Sequence, residues 1–150
     1  MITHLFFDVG GVLGTNGWDR DQRALAVGKF ALDKADFDRR HHSVVAAFEQ
    51  GKLSLDEYLD EVVFHRPRGF TQVEFTAFMK KQSVASDDVI QLARSLAGTG
   101  RYRVMTLNNE STELNEYRLK HFRLTEFCAA FFSSCFLGVS KPDSAIYEMA

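Results

Sequence analysis

Apolar residues occur in two patterns along this chain. Some stand in short unbroken runs, as in Leu5-Phe6-Phe7, Val104-Met105 and Phe131-Phe132. Others recur every three or four positions among polar ones. The first pattern suits strands buried on both faces of a parallel sheet, and the second suits amphipathic helices. The runs predict strands over residues 3–7, 102–107 and 129–133. Between the first two, residues 17–84 carry helical spacing only. Four helices are expected there. The first covers residues 18–30, and the second is opened by Asp36 and closed by Gly51, with Phe37, Val44, Val45 and Phe48 on its apolar side. The third follows Ser54-Leu55-Asp56-Glu57 and the fourth follows Thr71-Gln72-Val73-Glu74. Both carry the spacing of a capping box. Further helices are predicted over residues 88–97 and 110–120, and from Pro142 onward, where proline suits a first helical position. Glu110 and Glu113 suit the positive end of the 110–120 helix.

A strand, four helices, then helix–strand–helix–strand–helix is an α/β pattern. It predicts a Rossmann-like parallel sheet with right-handed crossovers. Residues 1–16 and 85–150 would form this core, and residues 17–84 an inserted helical cap over the carboxyl ends of the strands. Three polar positions follow strands: Asp8, the pair Asn108-Asn109, and Lys141. A parallel sheet gathers such positions on one edge, where open sheets bind ligands. Gly10 and Gly11, just after Asp8, let the backbone turn and let a ligand approach closely. A lone aspartate at a strand end equally suits a turn cap. An acid, amide donors and a fixed cation in that order point instead to nucleophilic transfer of an anionic group.

Composition narrows the partners. Apolar residues make up 45% and charged residues 25%, as in soluble globular proteins. A net charge of −2 with scattered basic residues excludes nucleic acid or an anionic membrane as the main partner. No apolar run approaches the ~18 residues of a membrane span, and no signal peptide opens the chain. Cys128 and Cys135 are too few for a disulfide framework, so the chain is read as cytoplasmic with both thiols reduced. His41 and His42 are neighbours in a helix and do not face one another, which argues against a metal pair. Asp87-Asp88 reads as a helix cap, and Asn16 and Trp18 as loop residues that either face the crevice or pack on the cap.

The whole chain resembles the haloacid dehalogenase (HAD) superfamily, most of whose members are phosphatases. The resemblance rests on Phe7-Asp8-Val9-Gly10-Gly11-Val12-Leu13, on Met105-Thr106-Leu107-Asn108-Asn109, and on Gly138-Val139-Ser140-Lys141-Pro142-Asp143. Glu49-Gln50-Gly51-Lys52-Leu53-Ser54 is similar to a cap segment of the same family. The branch most resembled holds sugar-phosphate phosphatases and the N-terminal phosphatase domain of epoxide hydrolases.

The resemblance implies Asp8 as nucleophile through an aspartyl-phosphate. It implies Lys141 as the residue orienting Asp8 and offsetting phosphate charge, and Asn108, Asn109 and Thr106 as phosphate-binding candidates. Either Asn108 or Thr106 aligns with the family's Ser/Thr position, since both share one strand face. Mg²⁺ would be held by Asp8 and the Gly10 carbonyl, and the substrate would be a small phosphorylated metabolite. Two departures stand out. Gly10 replaces the family's second Asp, its general acid and base. The acidic motif that completes the Mg²⁺ site lies in the family beyond the point where this sequence ends, so the chain reads as C-terminally truncated and its own activity as doubtful. A haloacid dehalogenase using the same Asp without metal, and a non-catalytic fragment, are the alternatives. With later strands lacking, strand 3–7 would be an exposed edge open to self-association.

Overall fold

The computed structural model describes residues 1–150. Its elements are β1 (His4–Phe7), α1 (Arg20–Lys29), α2 (Lys34–Glu49), α3 (Leu55–Val62), α4 (Gln72–Lys81), α5 (Asp87–Gly98), β2 (Arg103–Asn108), α6 (Thr112–His121), a 3₁₀ turn at Leu124–Glu126, β3 (Ala130–Ser133), α7 (Ser134–Leu137) and α8 (Ser144–Met149). The three strands form one parallel sheet in the order β1-β2-β3. Phe7 lies beside Thr106 and Asn108 beside Ser133, so the carboxyl ends of the strands are level. β1 pairs with β2 alone, and Phe6 on it is 41% exposed. The edge position expected from the sequence is therefore present.

Two apolar cores form. One lies around the sheet and includes Val9, Leu13, Ile90, Ala93, Val104, Leu119, Phe122 and Leu124. The other lies within α1–α4 and includes Trp18, Phe37, Phe48, Tyr58, Leu59, Phe75 and Met79. Each fully buried side chain of this size contributes roughly 1.5–3 kcal/mol, which holds together helices too short to persist alone. Ser54 and Thr71 both make the capping boxes their spacing predicted: Glu57 accepts from Ser54 N–H at 2.8 Å, and Glu74 from Thr71 N–H at 2.7 Å.

The chain leaves the sheet for these helices and returns beside itself. Thr15 N–H donates to Val84 O at 2.9 Å and Ser86 N–H to Leu13 O at 2.9 Å. Gly14 sits where the two passes meet. A Cβ there would lie 2.6 Å from the Phe122 ring and 2.7 Å from Val84 O, so a side chain would force the crossing open.

Several expectations need correction. Asp33, not Asp36, caps α2 by accepting from Asp36 N–H at 2.8 Å. Asp36 instead gathers Arg39, Arg40, His65 and Arg66. Ser86 occupies the cap position of α5, with Asp87 and Asp88 in its first turn. α6 begins at Thr112, so Glu110 lies before the helix and its side chain is buried. Pro142 precedes the α8 cap, Asp143, rather than opening the helix. The single turn α7 had no sequence signal, being four residues without periodicity. Cys128 and Cys135 are half-buried free thiols, and burial pushes both up to about 11.

Candidate functional site

β1 delivers Asp8 to the level carboxyl edge of the sheet. One of its oxygens accepts from Val9 N–H at 2.8 Å, and the other meets Lys141 Nζ at 2.6 Å. Lys141 arrives from the loop before α8, and its ammonium also donates to Leu107 O at 3.2 Å. That loop is held by Asn109 at the end of β2. The Asn109 amide donates to Lys141 O at 3.0 Å and accepts from Lys141 N–H at 2.8 Å. A carboxylate and a cation from opposite ends of the chain, 133 positions apart, are thus locked together.

These groups border a cavity of about 280 Å³. Asp8, Gly10, Asn109 and Lys141 line it, together with Asn16, Trp18, Asp19, Arg23, Glu49 and Glu110. Four of the expected site residues therefore meet. Asn108 and Thr106 do not line this space. Asn108 is 1% exposed; its amide donates to Asn115 at 3.0 Å and accepts from Ser133 Oγ at 2.9 Å. Thr106 is fully buried one pleat earlier, and its hydroxyl has no partner. Strand alternation puts both on one face, but that face looks into α6 and β3 rather than along the strand tip. The Asn108 side chain holds the end of β2 in place, and the Thr106 hydroxyl is buried away from the cavity.

Sequence reasoning missed Arg23, Glu49, Asp19 and Glu110 as lining residues. Glu49 fell within a segment singled out for resemblance, but nothing gave it a role. Arg23 had no signal, because a helical arginine is ordinarily a solvated charge. Here Arg23 donates to Trp18 O at 2.8 Å. Burial raises Glu49 above the usual carboxylate range, although Arg23 pulls it back. Glu110 is pushed up to about 7 by burial, against the pull of Arg118. Arg118 is 2% exposed and donates to Glu110 at 3.3 Å and to Thr15 O.

Trp18 serves both roles foreseen for it. Its ring packs edge-on against Phe37 and Phe75, and it also borders the cavity. Its Nε1–H donates to Tyr58 Oη at 2.9 Å, and Tyr58 lies 2.8 Å from His41 Nδ1. The phenol accepts from Trp18, which leaves its own proton free for His41 Nδ1. Burial, helped by Arg23, lowers His41 from 6.5 to about 4. Between those values the unfolded chain binds the proton and the folded one refuses it. This group's contribution is therefore intact above pH 6.5 and is lost as pH falls toward 4, up to about 3 kcal/mol. His41→Asn, which keeps an atom near Nδ1 but cannot titrate, is expected to flatten the fall in melting temperature over that window. Glu110 titrates in both proteins and cancels in the difference. Equal slopes for the two proteins would refute the assignment.

No group of three or more His, Cys, Asp or Glu side chains converges as a metal site. Asp8 and the Gly10 carbonyl are the oxygens available at the strand tip, and Lys141 already holds one of them. Mg²⁺ seeks near-octahedral oxygen, so these residues alone do not make its site. No helix is long and apolar enough to cross a membrane.

No protein-family model and no curated protein matches the sequence. Solved structures do. A HAD family enzyme from Bacteroides thetaiotaomicron, in complex with magnesium and inorganic phosphate, superposes with TM-score 0.76 at 19% identity, covering 99% of this chain and 77% of that one. A protein described as a predicted HAD-like family hydrolase, from Porphyromonas gingivalis, gives TM-score 0.74 at 21% identity, over 99% of this chain and 74% of that one. A structure described as a dehalogenase gives 0.60 at 18%, over 100% and 70%. At these identities the likeness is one of fold: the chain is mixed α/β with a HAD-like Rossmann-type architecture.

Proposed function

We propose that this HAD-like fold is a hydrolase that releases phosphate from a small phosphorylated metabolite, with Asp8 as the nucleophile. The observation that carries the reading is the Asp8–Lys141 pair at 2.6 Å, set at the strand tips on the floor of a polar cavity. In the proposed reaction an Asp8 oxygen attacks phosphorus, the bond to the leaving oxygen breaks, and water then cleaves the aspartyl-phosphate. Lys141 holds the carboxylate in place through its ammonium, and offsets charge on the phosphoryl group as it transfers. Asn109 acts through Lys141, whose backbone it fixes, rather than by holding phosphate with its own amide. Asn108 sets the end of β2.

The cavity accommodates a small substrate only, and Trp18, Arg23 and Glu49 from residues 17–84 help to line it. Residues 17–84 would then act as a cap that closes over the ligand. Support for a phosphoryl substrate comes from the similar enzyme whose structure contains magnesium and inorganic phosphate. Asp8 and Gly10 do not hold Mg²⁺ by themselves, so a metal here would depend on phosphate and water for most of its oxygens.

A second reading is favoured by Gly10 and by the dehalogenase of similar fold. There Asp8 attacks carbon, displaces halide, and needs no metal. Phosphate release from a panel of phosphorylated metabolites, with Mg²⁺ and with chelator, is compared with halide release from 2-haloacids. Mg²⁺-dependent phosphate release is expected. Halide release that is indifferent to chelator would replace the phosphatase reading with the dehalogenase one.

A further inference from the structure

The geometry points to Glu49, at the end of α2, as the group that gives a proton to the leaving oxygen and later takes one from the attacking water, a role that rests on the phosphatase reading above. Four carboxylates line the cavity: Asp8, Asp19, Glu49 and Glu110. Three have both oxygens engaged. Asp8 is held by Val9 N–H and Lys141. Asp19 accepts from Arg20 N–H at 2.7 Å and from Asn16 at 3.2 Å. Glu110 accepts from Ser111 N–H at 3.0 Å and from Arg118. The Glu49 carboxyl has no hydrogen-bond partner and opens into the cavity, free to donate or accept.

Its position is fixed from behind. Glu49 O accepts from Ser134 Oγ at 2.6 Å, which ties the end of α2 to α7 beside the sheet. Gly51 presses on the same turn, with φ of +69° and a would-be Cβ 2.3 Å from Cys135 O. Leu55 N–H, at the start of α3, donates to Glu113 at 2.9 Å. The segment 49–55 is therefore stitched to α6 and α7 beside the sheet, which fixes where Glu49 enters the cavity that it shares with Asp8.

Charge argues for the proton. Against the four carboxylates the cavity offers two cations, Arg23 and Lys141. A phosphate dianion entering this surplus of negative charge favours protonation of whichever carboxylate is least engaged. Arg23 and Asp19 face Glu49 from the start of α1, and Tyr58 and Glu110 lie near enough to feel its charge. Burial already raises Glu49, against the pull of Arg23, so it holds its proton to higher pH than an ordinary glutamate. No carboxylate at residue 10 competes for the role, since that residue is glycine.

The step balances simply. Asp8 forms the bond to phosphorus as the leaving alkoxide departs with the proton of Glu49. The Glu49 carboxylate then removes a proton from water as its oxygen attacks the aspartyl-phosphate, which regenerates Asp8 and the protonated Glu49.

The test compares Glu49→Gln with the unsubstituted protein on two substrates in Mg²⁺. One is p-nitrophenyl phosphate, whose leaving group departs as a stable phenolate and needs no proton. The other is whichever glycerol or sugar phosphate the protein cleaves fastest. kcat/KM is read because it reports the step that expels the leaving group. A loss of about a hundredfold is expected on the alkyl phosphate, and less than about threefold on the nitrophenyl ester. The fall of the alkyl rate at high pH should also vanish in the variant. Equal losses on both substrates, or none, would overturn the proton-transfer role. If the unsubstituted protein hydrolyses neither substrate, the phosphatase reading itself falls and takes this assignment with it.

Discussion

Asp8→Asn is expected to lower phosphate release by at least about a thousandfold, equivalent to ~4 kcal/mol of transition-state stabilisation. The amide keeps the shape of the side chain, but its single oxygen can replace only one of the two Asp8 acceptors, the one facing Val9 N–H or the one facing Lys141. What it loses is the anionic oxygen that would attack phosphorus. The fold should tolerate the change, because Asp8 is partly exposed and its pair with Lys141 is not deeply buried. The melting temperature should therefore stay within a few degrees while the rate collapses. Phosphate release surviving at near the original rate would remove Asp8 from the nucleophile's role. A rate that falls only in step with stability would do the same.

The second large effect falls on stability. Arg118→Met should destabilise the protein by about 3–5 kcal/mol, because it strands a buried carboxylate. Arg118 lies almost wholly out of solvent between Glu110, Thr15 O and the face of the Phe122 ring. Methionine fills much of the volume but satisfies neither oxygen. The sign with pH comes from Glu110. A carboxyl whose folded value is raised, here to about 7, weakens the fold as pH rises from its unfolded value of 4.5. Removing Arg118 raises it further, so the penalty should keep growing above pH 7. Urea denaturation at pH 6 and pH 8 reads both predictions. A second variant, Arg118→Met with Glu110→Gln, should recover part of the loss. A single-variant loss below about 1 kcal/mol at both pH values would show that the pair is dispensable.

Much of the architecture was legible because it depends on local patterns. Unbroken apolar runs marked β1, β2 and β3, and two Ser/Thr-x-x-Glu spacings marked α3 and α4. The meeting of Asp8, Asn109 and Lys141 came from topology alone, since a parallel sheet brings the residues just past its strands to a single edge. The failures have a common physical origin. Asn108 and Asn109 look interchangeable in sequence, yet the alternation of side chains at the strand end sends one to Asn115 and the other to Lys141. Glu110 read as a helix-dipole residue because its partner, Arg118, lies two turns further on and no pattern announces a buried ion pair. Arg23 and Glu49 sit on helices that the sequence places only relative to themselves. Their arrival at the cavity depends on long-range bonds such as Ser134 to Glu49 O, which separate residues 85 apart.

The two-point bond between Asn109 and the backbone of Lys141 has a consequence for how a ligand is received. A side-chain amide here takes the part that a neighbouring peptide group would take in a sheet, accepting one N–H and donating to one carbonyl. The loop before α8 is thereby fastened as if it were one residue of a further strand. Lysine has one of the most mobile side chains, and bringing a free one to an anion costs up to about 2 kcal/mol in rotamer freedom. With its backbone clamped and its ammonium already shared between Asp8 and Leu107 O, most of that freedom is gone before any ligand arrives. Arrival of an anion then exchanges partners around a stationary charge, and binding strength goes into contact with the ligand rather than into arranging the protein.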